Sequence, residues 1–393
     1  MDSEPEMTTT TNSNNIAFKI TISILMVVTG SLNTIAAKWA DSLKSDGRNF
    51  NHPFFQAACM FLGELSCLGV YYILKYSRKN RNQDLENVAT TTVNPFIFLP
   101  PAFCDVFATS IMYVGLNLTT ASSFQMLRGA VIIFTGLLSV AFLGARLKPY
   151  KWLGMSIVCL GLVIVGVVSI VYEDNPEVDI NAMITGDILI VTAQIIVAVQ
   201  MVYEQKYLTQ YDVHALYAVG YEGLFGLSIL GALIPMFYFI HVPKTFSPDP
   251  EHRLENILLA LKEIRDNPII LLPLGLTVVS IALFNFAGIS VTKSLSATTR
   301  MVLDSVRTLI IWVCSIPLFG EEFIPWQIVG FIFLINGMFI YNDILIGPYV
   351  RSKILPMMSE SSVVTIFCGN FWRSSDSAND SDRESLVNGE NEE

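Results

Sequence analysis

The sequence predicts an all-α membrane protein of about ten transmembrane helices, arranged as two inverted five-helix repeats. Three observations lead to this class: the composition, the spacing of apolar runs and an internal repeat. Hydrophobic residues make up 52% of the 393 residues, charged residues only 15%, and the mean hydropathy is +0.51. Soluble domains carry about a quarter charged residues. The solvent of most of this chain is therefore expected to be lipid.

Apolar runs of the length that a bilayer core requires, about 20 residues, follow one another along the chain. The candidate spans are residues 16–37, 53–72, 95–116, 122–143, 152–172, 186–203, 216–240, 268–289, 297–319 and 325–341. Several are interrupted by Gly, Pro or polar residues, as in FLPPAFCD around Pro100 and Pro101. Membrane helices tolerate such interruptions where neighbouring helices or water satisfy the backbone, so these spans are expected to line a cavity.

The spans divide the chain into three parts. Residues 1–15 are polar and predict a disordered cytosolic N-terminus, residues 16–347 form the ten-helix domain with repeats of about 16–172 and 183–345, and residues 348–393 predict a disordered cytosolic tail. Lys and Arg residues number thirteen on the side of the two termini and seven on the other. Because positive loops stay in the cytosol, both termini are expected there.

An internal repeat appears when the sequence is shifted by 176 residues onto itself. One ungapped register aligns seven identical pairs, among them Gly144 with Gly320, Pro149 with Pro325, Gly154 with Gly330, and Gly161 with Gly337. Because the shift spans five helices, equivalent helices cross the membrane in opposite directions, and the halves are expected to be inverted. The turn after one glycine is basic, ARLKPYKW, and the turn after its equivalent is acidic, EEFIPW.

Four charged residues fall inside two equivalent spans. Arg128 in QMLRGA aligns with Asp304 in RMVLDSVR, and Arg300 and Arg307 share a helix face with Asp304. Each of the aligned pair is about eight residues into its span, roughly 12 Å of helix rise, which predicts a position near the midplane. Three interpretations remain open. The residues form a structural Arg128–Asp304 ion pair, or the arginines bind an anionic substrate such as a phosphate. Snorkelling of Arg300 to the cytosolic interface is a third.

Other polar residues within the spans give weaker signals. Gln125 and Tyr113 are candidates for substrate contacts, although such residues commonly serve packing in membrane helices. Glu64 and Glu222 are candidates for proton or cation coupling, and the alternative for each is a buried carboxyl group that partners an arginine.

No enzyme signature occurs in the sequence. HExxH, GxSxG, P-loop and dinucleotide-binding fingerprints are missing, and the four histidines lack metal-ligand spacing. The sequence therefore predicts no catalytic site, no metal, no cofactor and no nucleic-acid partner.

The acidic tail contains a short sorting-type motif. The segment DRESLV, with Asp382, Leu386 and Val387 at its defining positions, approximates an acidic dileucine signal. Such signals are read by receptors, so sorting adaptors are expected partners.

Six stretches carry a resemblance to a known family. They are SLNTIAAKWAD, HPFFQAACMFLGE, ASSFQMLRGAVIIFTGLLSVAFLG, GDILIVTAQIIVAVQMV, AVGYEGLFG and FNFAGISVTKSLSATTRMVLDSVRT. The sequence resembles solute carrier family 35, subfamily F, in the drug/metabolite transporter superfamily that includes the nucleotide-sugar transporters. The resemblance implies the fold of that superfamily, ten helices in two inverted repeats. It also implies a multi-pass protein of lysosomal membranes, with the mitochondrion, the Golgi or another endomembrane as alternatives, and a mitochondrial carrier protein as a partner.

The leading functional hypothesis is a secondary-active solute transporter in an intracellular membrane. It would carry an organic anion such as a nucleotide sugar by alternating access. One alternative is a membrane scaffold or regulatory protein that supports organelle (mitochondrial) membrane potential and cell survival. A further alternative is a proton-coupled exporter of organic cations, in which Glu64 or Glu222 controls transport.

Overall fold

A computed structural model provides the fold. It describes residues 6–45, 47–80, 93–119, 121–144, 147–171, 180–211, 213–243, 251–295, 297–319, 325–343 and 346–354. The proposed sorting residues Asp382, Leu386 and Val387 lie outside the described residues.

Nearly all the described chain is helical. The α-helices are α1 (Glu6–Ser42), α2 (Pro53–Asn80), α3 (Leu99–Leu118), α4 (Ala121–Leu127), α5 (Val131–Leu143), α6 (Pro149–Val171), α7 (Ile180–Tyr211), α8 (Ala215–Phe237), α9 (Ile257–Asp266), α10 (Leu271–Ser294), α11 (Ala297–Phe319), α12 (Gln327–Tyr341) and α13 (Gly347–Tyr349). Short 3₁₀ turns at Pro95–Phe98, Arg128–Ala130 and Pro268–Ile270 precede α3, α5 and α10, and a π-helical turn, Val350–Ile354, follows α13. Gly144 ends α5 in the left-handed conformation, with φ of 61°, which glycine adopts at little cost.

Seven described helices are long and apolar enough to cross a membrane. They are α1, α2, α3, α6, α7, α8 and α10, and two shorter apolar helices, Arg128–Leu143 and Ile328–Tyr341, accompany them. Large apolar side chains such as Ile73, Phe142 and Val163 are exposed on the outer faces, as expected for contact with lipid. The predicted all-α membrane class is confirmed.

Helices that are distant in sequence pack side by side. α1 packs on α10, α3 on α7, α2 on α8, and α6 on α12. Two further contacts join α5 to α7 and α1 to α11. Residues of α1, α2, α3, α7, α10 and α11 line a common interior.

Glycines allow the closest of these contacts. A Cβ atom at residue 154 would lie 2.7 Å from the carbonyl oxygen of Gly337, and one at residue 161 would lie 2.8 Å from the carbonyl oxygen of Gly330. Side chains cannot occupy such distances, so α6 and α12 meet backbone to backbone. Gly223 of α8 similarly faces the backbone of α2, with its Cβ position 2.5 Å from the nitrogen of Leu65.

Outside the spans, a hairpin between α1 and α2 packs on α9. The hairpin consists of the two-residue strands β1 (Lys44–Ser45) and β2 (Arg48–Asn49). Ser45 of β1 donates to the backbone oxygen of Glu263 of α9 at 3.1 Å. Beside this contact, His52 lies between two glutamates, with its Nδ1 2.7 Å from Glu255 and its Nε2 3.3 Å from Glu263. All three side chains are buried. Burial alone would lower the pKa of His52, but the hydrogen bonds and charges of the two glutamates outweigh it, and the pKa is raised.

This contact predicts a pH-dependent stability. Because the folded-state pKa of His52 exceeds its unfolded value of about 6.5, the stabilisation is fully present below that pH and is lost as pH rises through the folded-state pKa. We expect the melting temperature of the purified protein to fall as the pH rises from the unfolded-state pKa of His52 through its folded-state pKa. His52→Gln should flatten this dependence of the melting temperature on pH. The exposed His241→Gln is the control and should keep the wild-type slope. If the melting temperature of His52→Gln depended on pH as steeply as that of the wild type, His52 would not be the source of the pH dependence.

Candidate functional site

A cavity of about 260 Å³ lies at the centre of the helix bundle. Its volume is near the lower limit of typical ligand pockets, about 300 Å³. Nine charged residues line it, namely Lys38, Asp41, Glu64, Asp105, Arg128, Glu204, Arg300, Asp304 and Arg307. Apolar walls complete it, with Met26, Phe61 and Phe284 among them. Charged groups at membrane depth normally face a functional cavity of this kind.

Most of the residues singled out in the sequence line this cavity. Those that do are Tyr113, Arg128, Arg300, Asp304, Arg307 and Glu64. Glu222 does not line it, but Glu222 lies within electrostatic range of the cavity residues Glu64, Glu204 and Arg300. Gln125 belongs to α4, and its side chain lies outside the described residues.

The backbone around Arg128 changes conformation within the span. α4 ends at Leu127, Arg128–Ala130 form a 3₁₀ turn, and α5 begins at Val131. The guanidinium group of Arg128 lies over the ring of Phe124, 5.9 Å from its centroid. Within the described part of the chain, Arg128 has no ion-pair partner.

Asp304 pairs with its own helix rather than with Arg128. Its Oδ1 lies 2.8 Å from Nη2 of Arg307, three residues further along α11. Residues at this spacing share a helix face, which explains the contact.

Arg307 is held tightly although its hydrogen bonds are incomplete. The residue is 4% exposed, its guanidinium group lies 4.7 Å from the ring centroid of Phe284, and a Cβ at Gly30 would collide with its Cδ. Despite the short distance to Asp304, neither Nε nor Nη2 makes an aligned hydrogen bond within the described part of the molecule. The guanidinium group therefore has hydrogen-bonding capacity that the described residues do not satisfy.

Arg300 pairs with a residue that the sequence did not indicate. Its Nη1 donates to Glu204 of α7 at 2.8 Å, and Gln200 donates to the second oxygen of Glu204 at 3.0 Å. Gly288 of α10 provides space for the guanidinium group, since a Cβ there would lie 3.0 Å from Nε. Arg300 is thus engaged inside the protein, contrary to the snorkelling interpretation.

Three more carboxyl groups surround this pair. Glu64 is buried and accepts a hydrogen bond from Asn285 at 2.5 Å, and Asp105 accepts one from Thr109 at 3.2 Å. Oε1 of Glu222 is buried and has no hydrogen-bond partner among the described residues. We call Glu64, Asp105, Glu204 and Glu222 the carboxyl cluster, and Arg128, Asp304 and Arg307 the arginine cluster.

Comparison with known proteins identifies the family. A family model described as nucleotide-sugar transporter matches residues 14–233. Solute carrier family 35 member F6 of Homo sapiens is 49% identical over 352 residues, which cover 87% of this chain and 94% of that protein. The chain belongs to the nucleotide-sugar transporter family, within solute carrier family 35. The resemblance to subfamily F is thereby confirmed.

More distant relatives extend this result. The UDP-N-acetylglucosamine transporter of Rattus norvegicus is 25% identical over 169 residues, which cover 42% of this chain and 50% of that protein. A solved crystal structure superposes with a TM-score of 0.51 at 12% identity, covering 88% of this chain and 99% of that one, and it shows a shared fold. Membership of this family establishes a multi-pass solute transporter of the endomembrane type and implies that the protein is not an enzyme.

Proposed function

We propose that this protein is a secondary-active transporter that carries an organic anion, such as a nucleotide sugar, by alternating access in an intracellular membrane. The observation that carries the proposal is the arginine cluster. Arg307 presents two N–H groups without aligned partners, and Arg128 has no ion-pair partner within the described part of the chain.

The chemistry of guanidinium groups explains why an anion is the preferred ligand. A buried arginine is costly unless its charge is paired, and its planar fork matches a phosphate with two parallel hydrogen bonds. Asp304 balances one of the two arginines, so the cluster retains one positive charge. A diphosphate in the cavity would supply the missing acceptors. The name of the rat relative, UDP-N-acetylglucosamine transporter, supports this substrate class.

The helix pairings support two inverted halves of five spans. The register of 176 residues equates α4 and α5 with α11, and α6 with α12. Continuing the order equates α1 with α7, α2 with α8, and α3 with α10. When each helix is replaced by its equivalent in the other half, the α1–α10 contact becomes the α7–α3 contact, and the α1–α11 contact becomes the α7–α5 contact. All four contacts are present. The α2–α8 and α6–α12 contacts convert into themselves, as contacts on a pseudo-twofold axis do.

The glycine contacts support the same relation at the level of residues. The register converts the Gly154–Gly337 contact into the Gly330–Gly161 contact, and both are observed. A Cβ at residue 337 would lie 2.8 Å from the oxygen of Gly154, and a Cβ at the equivalent residue 161 would lie 2.8 Å from the oxygen of Gly330; the reverse distances, from residues 154 and 330, are 2.7 and 3.1 Å. We therefore propose ten spans, although seven described helices meet the length and hydropathy expected of a full crossing. α11 carries three charged residues, Arg300, Asp304 and Arg307, and α12 is short.

Uptake into proteoliposomes tests the transport proposal. Purified protein in vesicles should accumulate or exchange radiolabelled UDP- or GDP-sugars or nucleotides in preference to neutral sugars and amines. If no compound of the panel is taken up, the transporter proposal fails and the scaffold alternative replaces it. If amines are taken up instead, with dependence on Glu64 or Glu222, the organic-cation exporter replaces it.

For the location, we propose the lysosomal membrane, reached through the tail signal. Replacing Leu386 and Val387 with alanine should move a fluorescently tagged protein from lysosomes to the cell surface, because adaptors no longer bind the motif. Asn388→Ala with Gly389→Ala, immediately after the motif, is the control and should leave the distribution unchanged. Continued lysosomal staining of the first variant would contradict the signal.

A further inference from the structure

The carboxyl cluster carries more negative charge than its surroundings can balance. The ionisable groups that face Glu222 and its neighbours from the packed helices are Glu64 and Cys67 of α2, Cys104 and Asp105 of α3, Glu204 of α7 and Arg300 of α11. Together with Glu222 they comprise four carboxyl groups, two thiols and a single guanidinium group. With every carboxyl group ionised, the cluster would have a net charge of −3 in the interior of a membrane protein, which is prohibitively costly.

The single cation is already engaged by one carboxylate. Arg300 donates to Glu204 at 2.8 Å, and Gln200 satisfies the other oxygen of the same carboxylate. Glu64 and Asp105 each have a neutral donor, Asn285 and Thr109.

Glu222 is the least satisfied member of the cluster. Its Oε1 is buried and has no hydrogen-bond partner within the described residues. A buried carboxylate oxygen without a donor is costly, and binding of a proton removes the charge that causes the cost. Grouped like charges of this kind take up protons as a unit rather than independently.

We propose that the carboxyl cluster is a proton-binding site that couples this carrier to a pH gradient, with Glu222 as its principal acceptor. The coupling rests on the proposed transport function, whereas proton binding does not. Glu64, Asp105 and Glu204 line the same cavity as the arginine cluster, so a proton and an anion can occupy one central space on different sides. A divalent metal is a poor alternative, because no grouping of His, Cys, Asp and Glu suited to a metal ion occurs in the described part of the chain.

Charge movement after a pH jump tests proton binding without any substrate. Proteoliposomes adsorbed on a solid-supported membrane are switched from pH 8 to pH 6, and the transient current is recorded. We expect a current in the wild type and a loss of most of it in Glu222→Gln and in Glu64→Gln, since glutamine preserves shape but cannot be ionised. Glu251→Gln, an exposed residue outside the spans, is the control and should retain the full current.

The outcomes separate this proposal from the transport proposal. No wild-type current, or an unchanged current in both variants that elute as folded protein in size-exclusion chromatography, would overturn the proton site. A current that follows a sodium jump at constant pH would also overturn it in favour of a metal cation. A proton current without uptake of any anion would leave the proton site standing and remove the anion carrier.

Discussion

Arg307→Ala is expected to reduce uptake of the anionic substrate at least tenfold while leaving membrane insertion intact. The variant removes a guanidinium group whose Nε and Nη2 make no aligned hydrogen bond among the described residues, and it leaves Asp304 without its ion-pair partner at 2.8 Å. Hydrogen bonds to charged groups contribute about 1.5–3 kcal/mol, so initial uptake rates should fall about 10- to 150-fold. Arg128→Ala should give a loss of similar size. Rates in proteoliposomes at equal protein content measure both.

Two further variants make this test specific. Arg307→Lys keeps the charge but loses the planar fork, so an intermediate rate is expected if a phosphate is bound bidentately. Arg265→Ala removes an arginine that is largely exposed on α9 and should not change uptake. Unchanged uptake in both Arg128→Ala and Arg307→Ala would remove the arginine cluster from the substrate site.

Gly154→Leu and Gly337→Leu are expected to prevent stable folding. Each would place a side chain where the facing helix has backbone atoms, at 2.7 Å from the oxygen of Gly337 and 2.8 Å from the oxygen of Gly154. Overpacking costs about 1–3 kcal/mol where side chains can yield, and backbone yields less, so a loss of about 3 kcal/mol or more is expected. The fraction of detergent-extracted protein that elutes as a single peak measures the effect.

Gly166→Leu provides the matched control on the same helix. A Cβ at this position meets no other atom within 4 Å, so extraction and elution should remain those of the wild type. Equal yields of Gly154→Leu and Gly166→Leu would contradict the close contact between α6 and α12.

Much of the site could be predicted from the sequence, because charged residues within apolar runs are conspicuous. Arg128, Arg300, Asp304, Arg307 and Glu64 were identified in this way, and all line the cavity. Their partners could not be predicted. Pairing depends on the rotation of each helix about its axis and on the depth of each side chain, and neither can be read from a single span.

Glu204 illustrates the missing information. It immediately follows the predicted sixth span, 186–203, next to Lys206 and Tyr207, a combination typical of interfacial anchors. In the structure α7 extends to Tyr211, which brings Glu204 inside the bundle. One feature of the sequence could have indicated this extension: the segment EQKYLTQY after the predicted span is polar but contains residues that favour a helix. Helix α9 was also missed, because a ten-residue amphipathic segment between spans carries no membrane signature.

The close glycine contacts also determine which parts of the molecule can move. Where two backbones touch, no side chain can change its rotamer to let one helix slide past the other, so α6 with α12 and α2 with α8 are expected to move as rigid pairs. Contacts made by long charged side chains can break and re-form without such a collision. α11 touches its neighbours partly through Arg300 and Arg307, which reach Glu204 of α7 and Phe284 of α10. Movement that opens the cavity is therefore expected at α11, where arrival of a ligand would also change the ion pairs that hold the helix in place.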